Sequence, residues 1–108
     1  MLYNFTGGSD GASPYATLTN VNGVLYGTTQ YGGGGQCQTK YGVGCGTVYE
    51  VTTSGVESVL HSFSGYTDGD GPLAGLTNVS GTLYGTTAHG GTIECGGDGC
   101  GTVFSLTP

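Results

Sequence analysis

The sequence predicts an all-β fold, and two observations carry this prediction. Glycine supplies 25 of the 108 residues, and the glycines recur at fixed places between short segments rich in Val, Leu, Tyr, Phe and Thr. The residues of these segments favour strands, and glycine favours the tight turns that join them. Helix formers are scarce, since the chain has one methionine and a single basic residue, Lys40. We therefore expect short strands joined by tight turns.

An internal repeat is the strongest pattern in the chain. The block Leu-Tyr-Gly-Thr-Thr at 25–29 returns 58 residues later at 83–87, and Leu-Thr-Asn-Val at 18–21 returns at 76–79. Such self-similarity is typical of stacked repeat units. Further pairs at the same spacing are Phe5 and Phe63, Asp10 and Asp68, Pro14 and Pro72, and Cys37 and Cys95.

Each repeat is predicted to form a four-stranded antiparallel unit that resembles one blade of a β-propeller. An Asn-Gly pair at 22–23 predicts a tight turn between the first two strands. We divide the chain into two repeats, residues 1–55 and 56–108. The predicted strands of the first unit are 15–20, 23–30, 46–52 and 56–63, and the second copy repeats the first three.

The two ends of the chain are predicted to be out of phase with the repeat. Leu2, Tyr3, Asn4 and Phe5 align with 60–63, so they form a fourth strand that precedes the first unit. The chain ends after the third strand of the second unit. We expect strand exchange with a neighbouring copy to complete that unit, in a filament or ring. The alternative is a fragment of a longer array. The residues of the receiving strand are Thr102, Val103, Phe104 and Leu106.

Composition argues against two classes of partner. The net charge is −6, and no basic stripe is present to attract nucleic acid or anionic lipid. No stretch reaches the roughly 18 apolar residues that a membrane span requires. We therefore expect neither nucleic-acid binding nor membrane insertion, and the expected partner is another copy of the chain.

The four cysteines predict disulfides and an extracellular or cell-surface location. A short chain with so little lysine and four cysteines is typical of oxidising compartments. Of the three possible connectivities, Cys37 with Cys45 and Cys95 with Cys100 are favoured, because each pair occupies the same loop of its own repeat. The alternative is a four-thiolate zinc site, although these spacings lack the tight pairs of zinc ribbons.

Aromatic side chains offer one candidate ligand site. Tyr26 and Tyr84, with Tyr31 and His89 a few residues further on, are candidates to line a groove in which sugar rings stack. The alternative places the repeated tyrosine in the core, because aromatic residues of strands commonly pack between sheets.

A calcium site at Asp68 and Asp70 is a weaker candidate. Clustered carboxylates suit hard cations, but Asp-Gly is also a common turn pair, and Ala12 replaces Asp70 in the first copy. Neither His61 nor His89 has a cysteine nucleophile or a serine motif nearby in the sequence. We therefore predict no enzyme activity, no catalytic residue and no cofactor.

The repeat resembles a known family. The segment from Phe5 to Pro14, the block 25–29 and Gly-Thr-Val-Tyr at 46–49 closely resemble the choice-of-anchor, or GloVer, tandem repeat. The second copy matches through 83–87 and 101–104. This resemblance implies a secreted or surface bacterial protein built of propeller-like repeats, and it supplies no catalytic residues. The cysteine pairs look like an addition to the family's glycine-rich loop.

Two functions are consistent with these patterns. The leading hypothesis is an extracellular structural protein that assembles head to tail. The alternative is a carbohydrate-binding, lectin-like module of a secreted or surface protein.

Overall fold

A computed structural model describes residues 1–35, 37–39, 42–65, 67–92, 94–97 and 99–108 of the chain. Within these residues the only regular elements are β-strands, so the prediction of an all-β fold is confirmed. Two antiparallel sheets contain seven of the strands, and a short hairpin contains the other two. The sheets lie face to face and share one core.

The first sheet has four strands in the order β1-β2-β5-β6, and all neighbours are antiparallel. The loop between β2 and β5 contains the hairpin β3-β4. The sequence did not predict this hairpin. The bounds are β1 Thr19–Val21, β2 Val24–Thr29, β3 Gln38–Thr39, β4 Gly42–Val43, β5 Thr47–Val51 and β6 Glu57–Ser62.

The second sheet has three strands in the order β7-β8-β9. Its strands correspond to β1, β2 and β5 of the first sheet, and they pair in equivalent registers. The bounds are β7 Thr77–Val79, β8 Thr82–Thr87 and β9 Thr102–Leu106.

Both first hairpins use the turn that the sequence predicts. Asn22 and Gly23 both have positive φ, at 53° and 87°, as a type I′ turn requires. The amide of Gly23 also donates to the side-chain oxygen of Asn20 at 2.9 Å. In the second sheet Ser80 and Gly81 adopt the same conformation, with φ of 52° and 90°.

The two sheets also share polar contacts at equivalent positions. Paired threonine hydroxyls link the second and third strands of each sheet, at 2.8 Å between Thr29 and Thr47 and at 2.7 Å between Thr87 and Thr102. These contacts fix the second strand against the third where the long loop leaves the sheet. The two sheets are therefore equivalent in local detail as well as in strand order.

Strand β1 is shorter than the predicted strand 15–20. The reason is an irregularity in its pairing with β2. The amide of Gln30, just after β2, donates to the carbonyl of Ser13 at 3.1 Å. Gln30, which follows β2, therefore pairs with Ser13. Residues 15–18 are skipped, and they take no part in the pairing of β1 with β2.

The segment 2–5, which is predicted to pair with another copy, forms no strand within its own chain, because residues 1–6 pair with no described strand. Side chains hold this segment against the first sheet instead. The rings of Phe5 and Tyr49 meet edge to face at 4.9 Å, and Tyr3 packs on Phe5 at 5.1 Å. A strand needs a hydrogen-bonded neighbour, and this segment lies over the sheet rather than along its edge.

The core lies between the two sheets. Tyr26 and Val48 project from the first sheet, and Leu76 and Leu83 meet them from the side of the second. Phe63, in the segment that joins the sheets, is 1% exposed and contacts the ring of Phe104 at 5.2 Å between centroids. One face of each sheet is thereby buried against the other, which leaves one further face on each.

Candidate assembly surfaces

The outer edge of β9 is open within the described chain. In the first sheet β5 lies between β2 and β6, whereas its equivalent β9 has only β8 beside it. An unpaired edge presents a row of free N–H and C=O groups to any further strand. Among the described residues β9 is therefore an edge strand of its sheet.

The outer face of the second sheet is also open. We call the surface formed by Val79, Tyr84, Thr86 and Val103 the tail face; the registers of β7, β8 and β9 place these side chains on one side of the sheet. Tyr84 is 41% exposed, Val79 54% and Val103 79%. The described outer face of the second sheet is therefore partly apolar and exposed.

The outer face of the first sheet carries a cavity of about 410 Å³. We call this surface the head face, and it lies opposite the face that packs on the second sheet. Leu18, which borders it, is 47% exposed, and Leu2 is 50% exposed. The side chains that define the head face are Leu2, Phe5, Leu18, Tyr49 and Val51.

The N-terminal segment is fixed at the head face by a carboxylate. Tyr3 Oη donates to Asp10 Oδ2 at 2.6 Å, and the Thr6 amide donates to the same oxygen at 3.0 Å. The hydrogen bond to Asp10 raises the pKa of Tyr3 to about 12. Burial raises the pKa of Asp10, but hydrogen bonds from Thr6 and Tyr3 outweigh this effect and lower it.

The second repeat has the same arrangement. His61 Nε2 lies 3.0 Å from Asp68 Oδ1, and the Ser64 amide donates to Asp68 Oδ2 at 2.9 Å. Residues 2–6 therefore lie against the first sheet in the same way as residues 60–64 lie against the second. The structure gives Asp68 this turn-stabilising role, whereas Asp70 joins the backbone pair with His89.

Glu57 lines the cavity and was not singled out from the sequence. Its Oε2 atom is buried and has no hydrogen-bond partner among the described residues. Burial, together with the nearby charge of Asp10, raises the pKa of Glu57 above its ordinary value of 4.5. The sequence gives no sign that this carboxylate is buried, because the N-terminal segment that lines the same cavity is distant in the chain.

The Glu57→Gln variant is expected to be more stable than the wild type at pH 7. A raised pKa means that folding favours the protonated carboxyl, so the stability that Glu57 contributes is complete below pH 4.5 and is lost as pH rises through the folded-state value. Glutamine has no such loss. Urea unfolding at pH 4 and pH 7 measures the effect, and Glu94→Gln, at an exposed loop position, is the matched control. Equal gains at both pH values would contradict this explanation.

No family model, curated protein or solved structure matches the chain. The resemblance to GloVer repeats therefore stays a prediction.

Both predicted disulfides are present. Cys37 bonds Cys45, with Cα atoms 5.0 Å apart, and Cys95 bonds Cys100, with Cα atoms 5.3 Å apart. All four thiols are consumed, so the structure does not have the zinc site considered as an alternative. Asp70 lies close to the sulfurs of the first disulfide, but bonded sulfurs offer no thiolate to a metal.

The predicted sugar-binding tyrosines lie in different environments. Tyr26 is 6% exposed and packs in the core between the sheets, so it presents no ring face to a sugar. Tyr84 belongs to the tail face. Tyr31 and His89 occupy equivalent backbone bridges in the two repeats. Tyr26 is therefore separated from any surface groove formed by the other three.

No helix in the described part of the chain is long and apolar enough to cross a membrane.

Proposed function

We propose that this chain is a non-enzymatic, extracellular structural repeat protein whose copies join head to tail by β-strand complementation. The observation that carries the proposal is the difference between β5 and β9. These strands are equivalent in the repeat, yet β6 covers the edge of β5 and no described strand covers that of β9. The first residues of another copy supply the missing strand.

The pairing of β5 with β6 gives the register that this exchange uses. Thr47 pairs with Ser62, and Val48 pairs with His61. Transferred by one repeat, the same register pairs Thr102 of one copy with Asn4 of the next, and Val103 with Tyr3. Such addition of a strand to an exposed sheet edge is a common mode of recognition, in which main-chain hydrogen bonds contribute most of the contacts.

The N-terminal segment is suited to this exchange. Residues 1–6 form no strand in the isolated chain, so their main-chain groups are free of any sheet ladder in the described structure. The hydrogen bonds from Tyr3 and Thr6 to Asp10 nevertheless fix the segment in one place. Preorganisation of this kind lowers the entropy cost of association.

The extracellular location is supported by the chemistry of the cysteines. Two disulfides in a 108-residue chain are typical of proteins that fold under oxidising conditions. Each closes a loop of its own repeat at the end of the sheet. The proposal assigns the chain a mechanical role outside the cell, with no chemistry at any side chain.

A competing strand tests the proposal. The apparent mass of the wild type, measured by light scattering, should rise with protein concentration. An excess of a synthetic peptide with the sequence of residues 57–62 should then return it to the monomer, because this peptide reproduces the natural fourth strand. The matched control peptide carries Val59→Pro and His61→Pro, which remove ladder donors, and should have no effect. A constant monomer mass, or assembly that ignores the peptide, would contradict strand complementation.

A further inference from the structure

Strand exchange of a few residues provides few contacts, and the structure contains a larger surface that extends it. The contact between the two sheets inside the chain pairs one face of a repeat with the opposite face of the next. Tyr26 and Val48 lie on the first of these faces, and Leu83 and Phe104 lie on the second. The same two kinds of face are left free at opposite ends of the molecule.

The tail face is the free equivalent of the first. Tyr84 stands one repeat after Tyr26, and Val103 occupies the place of Val48. The residue types are identical, but the exposed fraction rises from 6% at Tyr26 to 41% at Tyr84, and from 0% at Val48 to 79% at Val103. The tail face therefore has the composition of a buried surface without the cover that buries it.

The head face is the free equivalent of the second. Leu18 stands one repeat before Leu76, and Tyr49 stands in the place of Phe104. Leu76 is 6% exposed because the first sheet covers it, whereas Leu18 is 47% exposed beside the open cavity. The cavity thus lies where the tail face of a preceding repeat would pack.

Polar contacts inside the chain also have free equivalents. Thr19 Oγ1 donates to the carbonyl of Leu76 at 2.5 Å, which joins the two sheets at one side of the core. The residue equivalent to Thr19 in the second repeat is Thr77, which is exposed. The residue equivalent to Leu76 in the first repeat is Leu18, whose carbonyl is the corresponding acceptor. The tail face also offers the hydroxyls of Tyr84 and Thr86.

We propose that the tail face of one copy docks on the head face of a second copy, so that the contact between the sheets inside the chain is repeated between chains. This inference rests on the proposed head-to-tail function and identifies a second contact between copies, beside the exchanged strand. The two faces differ, so the contact is heterologous, and it continues until it closes on itself or is blocked.

Two variants block the two faces separately. Val103→Glu places a charge on the tail face and leaves the head face intact, and Leu18→Glu does the reverse. Both positions are largely exposed, so each variant should fold as a monomer. A desolvated, unpaired charge should weaken self-association by about 100-fold or more. Val56→Glu is the matched control, because Val56 is 61% exposed in the turn before β6 and belongs to neither face.

Mixing the two variants gives the decisive result. At a concentration at which each variant alone sediments as a monomer, an equimolar mixture should form a dimer that grows no further. In that dimer the intact tail face of the Leu18→Glu chain docks on the intact head face of the Val103→Glu chain. Val56→Glu should assemble as the wild type does.

Three outcomes would overturn the inference. The first is unchanged assembly of Val103→Glu, and the second is a mixture that stays monomeric. In either case, wild-type assemblies that the 57–62 peptide still disperses would show that strand complementation operates without face docking. The third is a wild type that is monomeric at every concentration, which would reject the proposed function and this inference together.

Discussion

Phe63→Ala should lower the free energy of unfolding by about 3 to 5 kcal/mol. Phe63 is 1% exposed, and its ring meets those of His61 at 4.8 Å and Phe104 at 5.2 Å. It lies where the chain passes from one sheet to the other, so its removal leaves a cavity in the core that the two sheets share.

Phe5→Ala is the matched control, because Phe5 occupies the equivalent position on the head face. It is half-buried, and its ring contacts those of Tyr49 and Tyr3. Its loss should therefore cost less than half as much in dilute, monomeric protein. Urea unfolding with a common slope gives both values. Equal losses for the two variants would mean that the sheets do not share the core described above.

Gly46→Ala should lower the free energy of unfolding by about 3 kcal/mol, the second largest effect expected. Gly46 has a φ of +100°, which side-chain-bearing residues rarely adopt. A Cβ atom there would also lie 2.3 Å from the carbonyl oxygen of Thr29 and 2.7 Å from Cδ of Pro72. Either the backbone at the end of β2 or the segment between β6 and β7 that contains Pro72 would have to move.

Gly34→Ala separates the two causes. Gly34 also has a positive φ, at +83°, but a Cβ atom there meets nothing within 4 Å. Its substitution should cost about 1 kcal/mol from backbone conformation alone. Thermal or urea unfolding measures the difference, and a Gly46→Ala variant no less stable than Gly34→Ala would contradict the close approach at Gly46.

Much of the fold could be predicted because its signals are local. The Asn22-Gly23 turn requires two positive φ values and carries its own sequence signature. The block 25–29 alternates between the two sides of β2, which fixes where the strand lies. The disulfides followed from the repeat, since each pair returns in the same loop.

The sequence could not predict features that depend on which other segment packs beside a residue. Tyr26 and Tyr84 are the same residue in the same motif, yet one is buried and the other exposed, because only the first has a sheet packed over it. Residues 15–18 read as strand, but the pairing of Gln30 with Ser13 removed them from the ladder. The exchange predicted for segment 2–5 stays a prediction, since this segment forms no strand within its own chain. The sequence of a strand does not show which other strand lies beside it.

Whether the assembly is a ring or a filament depends on the rotation between successive repeats. The contact inside the chain defines that rotation once, and head-to-tail docking would apply it again at each new copy. A rotation that closes gives a ring of fixed size, and any other gives a filament. Either product would bury the β9 edge and the tail face of every copy except those at an open end.

Sedimentation velocity of the non-reduced wild type, over a wide range of concentrations, tests the central claim most directly. Head-to-tail assembly predicts that the sedimentation coefficient rises with concentration and that the monomer is lost. A single species of monomer mass at every concentration would contradict it, because the open edge of β9 and the exposed tail face would then have no partner in another copy.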